Sequence, residues 1–137
     1  MGLSLSDEIK ALLDRPNYAH LATVMADGSP HAAPVWVARE GDRLLLGIRE
    51  DSVKGKNSRR DPRVALSIVD VDDPYAMAQL RGRVVERRPD GDMTGKDAMS
   101  RKYTGRPFPW RYSGGIVLVV EVERARYQKV PLKHAPA

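Results

Sequence analysis

Hydrophobic and polar positions recur with two different periods along this chain, and the switches between them mark its elements. Ile9, Leu12 and Leu13 fall at i, i+3 and i+4 behind Ser6, Asp7 and Glu8. That pattern predicts a short helix over residues 6–14, capped by Ser6, supported by early acids and stopped by Pro16. From Ala19 the period becomes two. Residues 19–25 and 31–39 read as strands joined by an Asp27-Gly28 turn. A Glu40-Gly41-Asp42 turn then leads into a third strand over 43–49, whose centre of three leucines is expected to be buried. Connections this short permit only antiparallel neighbours, so the three runs form a meander.

The polar run 52–60 can form a short helix capped by Ser52 and broken at Asp61-Pro62. A fourth strand is expected over 63–71, with Val64, Leu66 and Ile68 on one face, followed by an Asp-rich turn. The fifth, 76–88, carries Gly82 in its middle, which predicts a bulge or bend. A second helix is expected over 93–103, although Gly95 weakens it. The sixth strand, 115–124, sets Ile116, Leu118, Val120 and Val122 against Val117, Val119, Glu121 and Glu123. Six strands, two or three short helices and no βαβ spacing predict a mainly β fold, one antiparallel barrel of Greek-key or meander type. The 137 residues fit a single domain, with its core at about 5–125 and a loose or docking tail over 126–137.

Composition narrows the chemistry. There are no cysteines, which excludes disulfides, thiolate metal sites and cysteine nucleophiles. His20, His31 and His134 are too scattered for a zinc site, so no metal is expected. The longest apolar run, 116–120, is far too short to cross a bilayer, and no secretory leader precedes the first helix. The expected location is the cytoplasm, with no membrane partner. A net charge of +5 suits anionic partners without choosing among them.

Its placement says more. Lys54, Lys56, Arg59, Arg60 and Arg63 follow a strand within ten positions, and Gly55 permits close backbone approach. A turn entering a helix presents unsatisfied N–H donors, so Lys54 and the amides around it could hold a phosphate. A solvated helix face and a nucleic-acid surface are the other readings; the last lacks a nearby stripe of stacking aromatics. In the second strand, Pro34 removes a ladder donor and demands an edge or a bulge. The small residues before it would let a flat ligand lie against backbone. Trp36 suits either the core or a pocket wall, and His31 reads as a surface or dimer-facing residue. The loop 103–112 is either a lid over its own barrel or a contribution to a partner's pocket. No Ser/His/Asp set and no paired carboxylates stand out, so no side chain is assigned a catalytic role. Hydride transfer by a bound cofactor needs none, only positioning and electrostatics.

The order of these motifs resembles the pyridoxamine 5′-phosphate oxidase-like split barrels. The resemblance rests on the Asp-Gly turn, the Pro30-containing strand and the Leu-rich strand, followed by Ser52-Val53-Lys54-Gly55-Lys56-Asn57 and Arg60-Asp61-Pro62-Arg63-Val64-Ala65-Leu66. Lys102-Tyr103-Thr104-Gly105 is similar to the branch that uses the deazaflavin coenzyme F420. It implies a six-stranded split barrel that works as a homodimer and holds its cofactor between subunits, with a small-molecule substrate and no nucleic acid. The implied cofactor-binding residues are Ala33, Pro34, Val35, Trp36, Val37, Gly47, Ile48, Lys54, Lys56 and Asn57. Val53 and Ala33 stand where the family's flavin-phosphate pattern has arginine, and Ala38 where a lysine helps hold pyridoxal phosphate. Those departures argue against pyridoxamine phosphate oxidase activity. They also disfavour FMN, a nearly dianionic monoester, relative to F420, a singly charged diester whose glutamate tail suits Lys56, Arg59 and Arg60. The implied activity is hydride transfer from reduced F420 to a small organic substrate, with FMN oxidoreductase chemistry or non-enzymatic cofactor binding as alternatives.

Overall fold

The computed structural model describes residues 2–137. Helix α1 (Asp7–Asp14) begins as its sequence dictates, with the Ser6 hydroxyl accepting from the Ile9 amide, and buries Ile9, Leu12 and Leu13. Strands β1 (Ala19–Val24), β2 (Pro30–Val35), β3 (Ala38–Glu40) and β4 (Arg43–Arg49) follow. Helix α2 (Val53–Arg60) separates them from β5 (Arg63–Val69) and β6 (Ala76–Pro89). Helix α3 (Thr94–Thr104) precedes β7 (Gly115–Lys129). Among the described residues no helix is long and apolar enough to cross a membrane.

The strands form one antiparallel sheet in the order β2-β1-β5-β6-β7-β4-β3. There are seven strands where the sequence suggested six. The expected strand 31–39 is divided: its first part pairs with β1 at one edge of the sheet, and its last part pairs with β4 at the opposite edge. Only Trp36 and Val37 lie between. The two edges of the sheet are therefore one nearly continuous stretch of chain, and the sheet must curl into a barrel to bring them together. This is a split barrel, closed along that seam by the covalent chain rather than by a ladder.

Inside it Leu13, Leu21, Leu44, Leu46, Ile68, Leu80, Leu118 and Val120 are essentially inaccessible, each contributing on the order of 1.5–3 kcal/mol. Leu45, expected in the buried centre of its strand, points outward and is half-buried. β7 runs to Lys129, five residues beyond the expected end, because its far half pairs with β6 down to Ala76. The first half of β7 buries both faces, which explains why Val117 and Val119 are as apolar as the inward residues.

Two of the sequence's punctuation marks act as expected. Pro34 lies on β2, an edge strand. The ladder between β6 and β7 shifts register at Arg81/Gly82, where a Cβ on Gly82 would stand 2.0 Å from the Glu121 carbonyl oxygen. Backbone meets backbone there, so nothing can yield cheaply.

At the seam, the Val37 peptide has no strand partner and is satisfied by α3 instead. The Tyr103 hydroxyl accepts from the Val37 amide at 3.1 Å and donates to the Asn17 carbonyl at 2.6 Å. The Lys102 ammonium donates to the carbonyls of Val37, at 2.6 Å, and Leu13. Burial lowers Lys102 to a pKa of about 8. Its folded value lies below the unfolded one, so the unfolded chain binds the extra proton between about pH 8 and 10.5, and stability rises with pH across that window.

Gly82→Ala should destabilise the fold by about 1–3 kcal/mol, read as a lowered urea midpoint at constant slope; an unchanged midpoint would show that the strands can part there at no cost. Raising the pH from 8 to 9.5 should stabilise the native protein relative to Lys102→Met, and a flat or falling difference would contradict the buried, depressed ammonium.

Candidate functional site

A cleft of about 540 Å³ opens beside the seam, within the size range of small-molecule sites. One wall is Pro34, Val35 and Trp36 at the end of β2; Gly47, Ile48 and Arg49 at the end of β4 form the next. Ser52 and Lys54 enter from α2, Lys96 from α3, and Phe108, Trp110, Arg111 and Tyr112 from the loop after it, with Tyr18 at the rim.

Local chemistry fixes each of these elements. Ser52 caps α2 by accepting from the Gly55 amide at 3.1 Å and donating to the Arg49 carbonyl at 2.6 Å. A Cβ on Gly55 would lie 2.4 and 2.5 Å from the carbonyl oxygens of Glu50 and Arg49, so only glycine lets α2 seat this closely against the end of β4. Arg87 of β6 pins the same turn from behind. Its guanidinium donates to the Gly55 carbonyl and the Ser58 hydroxyl, both at 3.0 Å, and to Glu50 Oε1 at 3.2 Å. Arg59 also meets Glu50. Lys54, in the first turn of α2, is thereby aimed at the cleft with no hydrogen bond or ion pair among the described residues.

Helix α3 lacks a capping side chain of its own, since Met93 at its start has φ of 63°. The buried Asp90 carboxylate substitutes, accepting from the amides of Gly95 at 2.8 Å and Lys96 at 3.0 Å. This offsets the weakness Gly95 brings to the helix. Trp36 stacks on Tyr103 with centroids 5.2 Å apart and planes 14° apart, and meets the Phe108 ring edge-on at 6.1 Å. Phe108 in turn packs edge-on against Trp110 and Tyr112. The loop 103–112 thus lines the cleft of its own chain.

Of the expected binding residues, Pro34, Val35, Trp36, Gly47, Ile48 and Lys54 line this cleft. Ala33, Val37, Lys56 and Asn57 do not. Val37 is wholly buried in the core, and Lys56 is exposed on α2. Asn57 turns its amide inward to the Thr23 hydroxyl at 3.0 Å and accepts from Arg60 at 3.2 Å. The basic run of α2 divides accordingly: Arg59, Arg60 and Arg63 are tied to Glu50, Asn57 and Asp61, leaving Lys54 for the cleft. Val53 is 45% exposed on the outer side of its helix. His31 is half-buried at the β2 edge. Among the described residues no group of His, Asp and Glu is arranged to hold a metal.

The sequence reading did not single out Arg49, Lys96 or Arg111. Arg49 lies 5.3 Å from the centre of the Tyr112 ring and 3.4 Å from Asp51. Arg111 chelates Asp97 at 2.7 and 3.1 Å and holds that carboxyl below the usual range. Lys96 precedes Tyr103 by seven residues, two turns along one helix face, and that spacing was the available signal.

Residues 5–129 match the pyridoxamine 5′-phosphate oxidase family. The chain is similar to an F420 reductase of known structure at 30% identity, over 85% of this chain and 94% of that one, with a TM-score of 0.79. A conserved hypothetical protein, Rv2991 from Mycobacterium tuberculosis, shares the fold at 20% identity, over 99% and 94% of the two chains, with a TM-score of 0.72. HupZ from Group A Streptococcus shares it at 21% identity, over 90% and 93%, with a TM-score of 0.67. With its split barrel and with nearly the whole length matched, this chain belongs to the pyridoxamine 5′-phosphate oxidase family, a family of flavin-type oxidoreductases.

Proposed function

We propose that the protein is a deazaflavin-dependent oxidoreductase, which uses coenzyme F420 to transfer a hydride to a small organic substrate and works as a homodimer in the cytoplasm. One observation carries this reading: Lys54, at the start of α2, faces an aromatic-walled cleft whose lining includes no carboxylate. A cation without a protein counter-ion, beside the amides of a helix's first turn, suits a phosphate. The main chain of Pro34–Trp36 and Gly47–Ile48 offers a flat surface next to it.

These residues fit the cofactor's parts. Lys54 and the α2 amides would hold the phosphate, and the strand ends would back the ring. A bound deazaflavin would supply the hydride; the chain binds, orients and excludes water, with Phe108 and Tyr112 among the cleft's walls. The choice of F420 over FMN rests on charge. Arginine is absent at Val53 and Ala33, and the two arginines that do line the cleft, Arg49 and Arg111, already have Asp51 and Asp97 beside them. A singly charged diester asks less of such a pocket than a near-dianion. Similarity to an F420 reductase points the same way. The homodimer finds support in the rim, where Tyr18 and Trp110 remain 58% and 70% exposed, as aromatics awaiting a ligand or second subunit do.

Titration with F420 should quench the fluorescence of Trp36 and Trp110 saturably, and Lys54→Ala should weaken that binding at least about tenfold, the loss expected for one charge-assisted contact. Absence of quenching, or equal affinity in the variant, would remove the proposal; a preference for FMN would reassign the cofactor. In sedimentation equilibrium the protein should run at twice its chain mass, and a monomer at micromolar concentration would sink the shared-cleft arrangement.

A further inference from the structure

The cleft contains a second cation whose position no phosphate site explains. Its four basic residues fall into two classes. Arg49 and Arg111 have carboxylates, Asp51 at 3.4 Å and Asp97 at 2.7 Å. Lys54 and Lys96 make no ion pair among the described residues. Lys54 belongs to α2. Lys96 reaches the cleft from α3, with its ammonium 5.1 Å from the Trp36 ring centre and 4.9 Å from that of Phe108, donating to the Gly47 carbonyl at 3.3 Å. Of the acids near it in sequence, Asp97 is chelated by Arg111, and Asp90 has both oxygens engaged by the amides of Gly95 and Lys96. Burial, then the neighbouring Lys54 charge, pull the Lys96 ammonium below the usual lysine value, while Asp90 opposes them.

Such a placement has a cost unless a ligand offsets it. One of three donors is used on Gly47, so two remain for an occupant. The surroundings say which part of an occupant they meet. Two aromatic rings, set nearly perpendicular to each other, and the β4 main chain surround the ammonium, unlike the helix start that suits a flexible phosphate. We infer that Lys96 is a second ligand-binding cation, meeting the negative charge of a planar heteroaromatic ring while Lys54 serves the phosphate-bearing tail. This rests on the cofactor reading above and adds to it a specificity for rings whose carbonyl-bearing end carries or gathers negative charge, as the pyrimidine-dione end of flavins and deazaflavins does on accepting a hydride.

The test compares coenzyme F420 with its phosphate-free riboside, binding being followed by fluorescence, for wild type, Lys54→Met, Lys96→Met and Lys96→Arg. Lys96→Met should weaken both ligands by a similar factor of about ten, and Lys96→Arg should recover to within about threefold of wild type. Lys54→Met should weaken F420 by at least about tenfold and leave the riboside within about twofold. Circular dichroism spectra and melting temperatures that match wild type hold the fold constant across the set. Unchanged riboside binding by Lys96→Met overturns the inference, and so does an arginine variant as weak as the methionine one. If wild type binds FMN and riboflavin instead, the same comparison on that pair decides the role of Lys96, and only the deazaflavin assignment falls. If neither ring system binds, both readings fall together.

Discussion

The Val37 peptide is the constraint from which the site follows. It lies where the sheet's two edges meet, wholly buried, with its amide and carbonyl beyond the reach of either ladder. A buried peptide left unpaired costs about 1–3 kcal/mol per group. Lys102 and Tyr103 remove that penalty, and in doing so they lock the end of α3 to the seam. Tyr103 is then in place to stack on Trp36, and one turn back along the helix Met99 packs into the interior. Lys96 and the loop 105–112 hang from the same anchored helix. The cleft is therefore a by-product of how the barrel is closed.

Electrostatics in the cleft follow a rule of pairing. The chain carries five more basic than acidic side chains, yet most of the basic ones near α2 are matched: Arg87 and Arg59 share Glu50, and Arg63 has Asp61. Pairing at this depth fixes geometry more than it adds stability, since exposed pairs contribute little. The result is a helix whose orientation is set by Arg87 and Gly55 and whose leading lysine is free for a ligand.

Most of the fold was legible because it is written in short-range terms. Alternation marked the strands, Gly82 marked the shift in register, and Pro34 marked an edge. The seventh strand was hidden for a physical reason. Val35 and Val37 both face the core, so the hydrophobic alternation continues through the seam while the ladder partner changes. Hydrophobic pattern records burial, not pairing. In the site, Lys54 could be found from its place after a strand and at a helix start. Asn57 could not be excluded, because its inward turn depends on Thr23, thirty-four residues earlier. Arg87 and Asp97 acquire their roles only from partners brought close by the topology.

The seam also sets the order in which the molecule can become whole. Val37 and its two partners on α3 are separated by 65 and 66 residues of sequence. At ribosomal speeds of about 5–20 residues per second, the first edge waits roughly 3–13 s for the segment that completes it. For that interval a nascent chain holds open strand edges, which invite pairing with other chains. The edge formed first, β2, contains Pro30 and Pro34, two residues that offer no amide to a stray strand. The feature that leaves a flat place for a ligand in the finished protein also shields the unfinished one from its neighbours on the polysome.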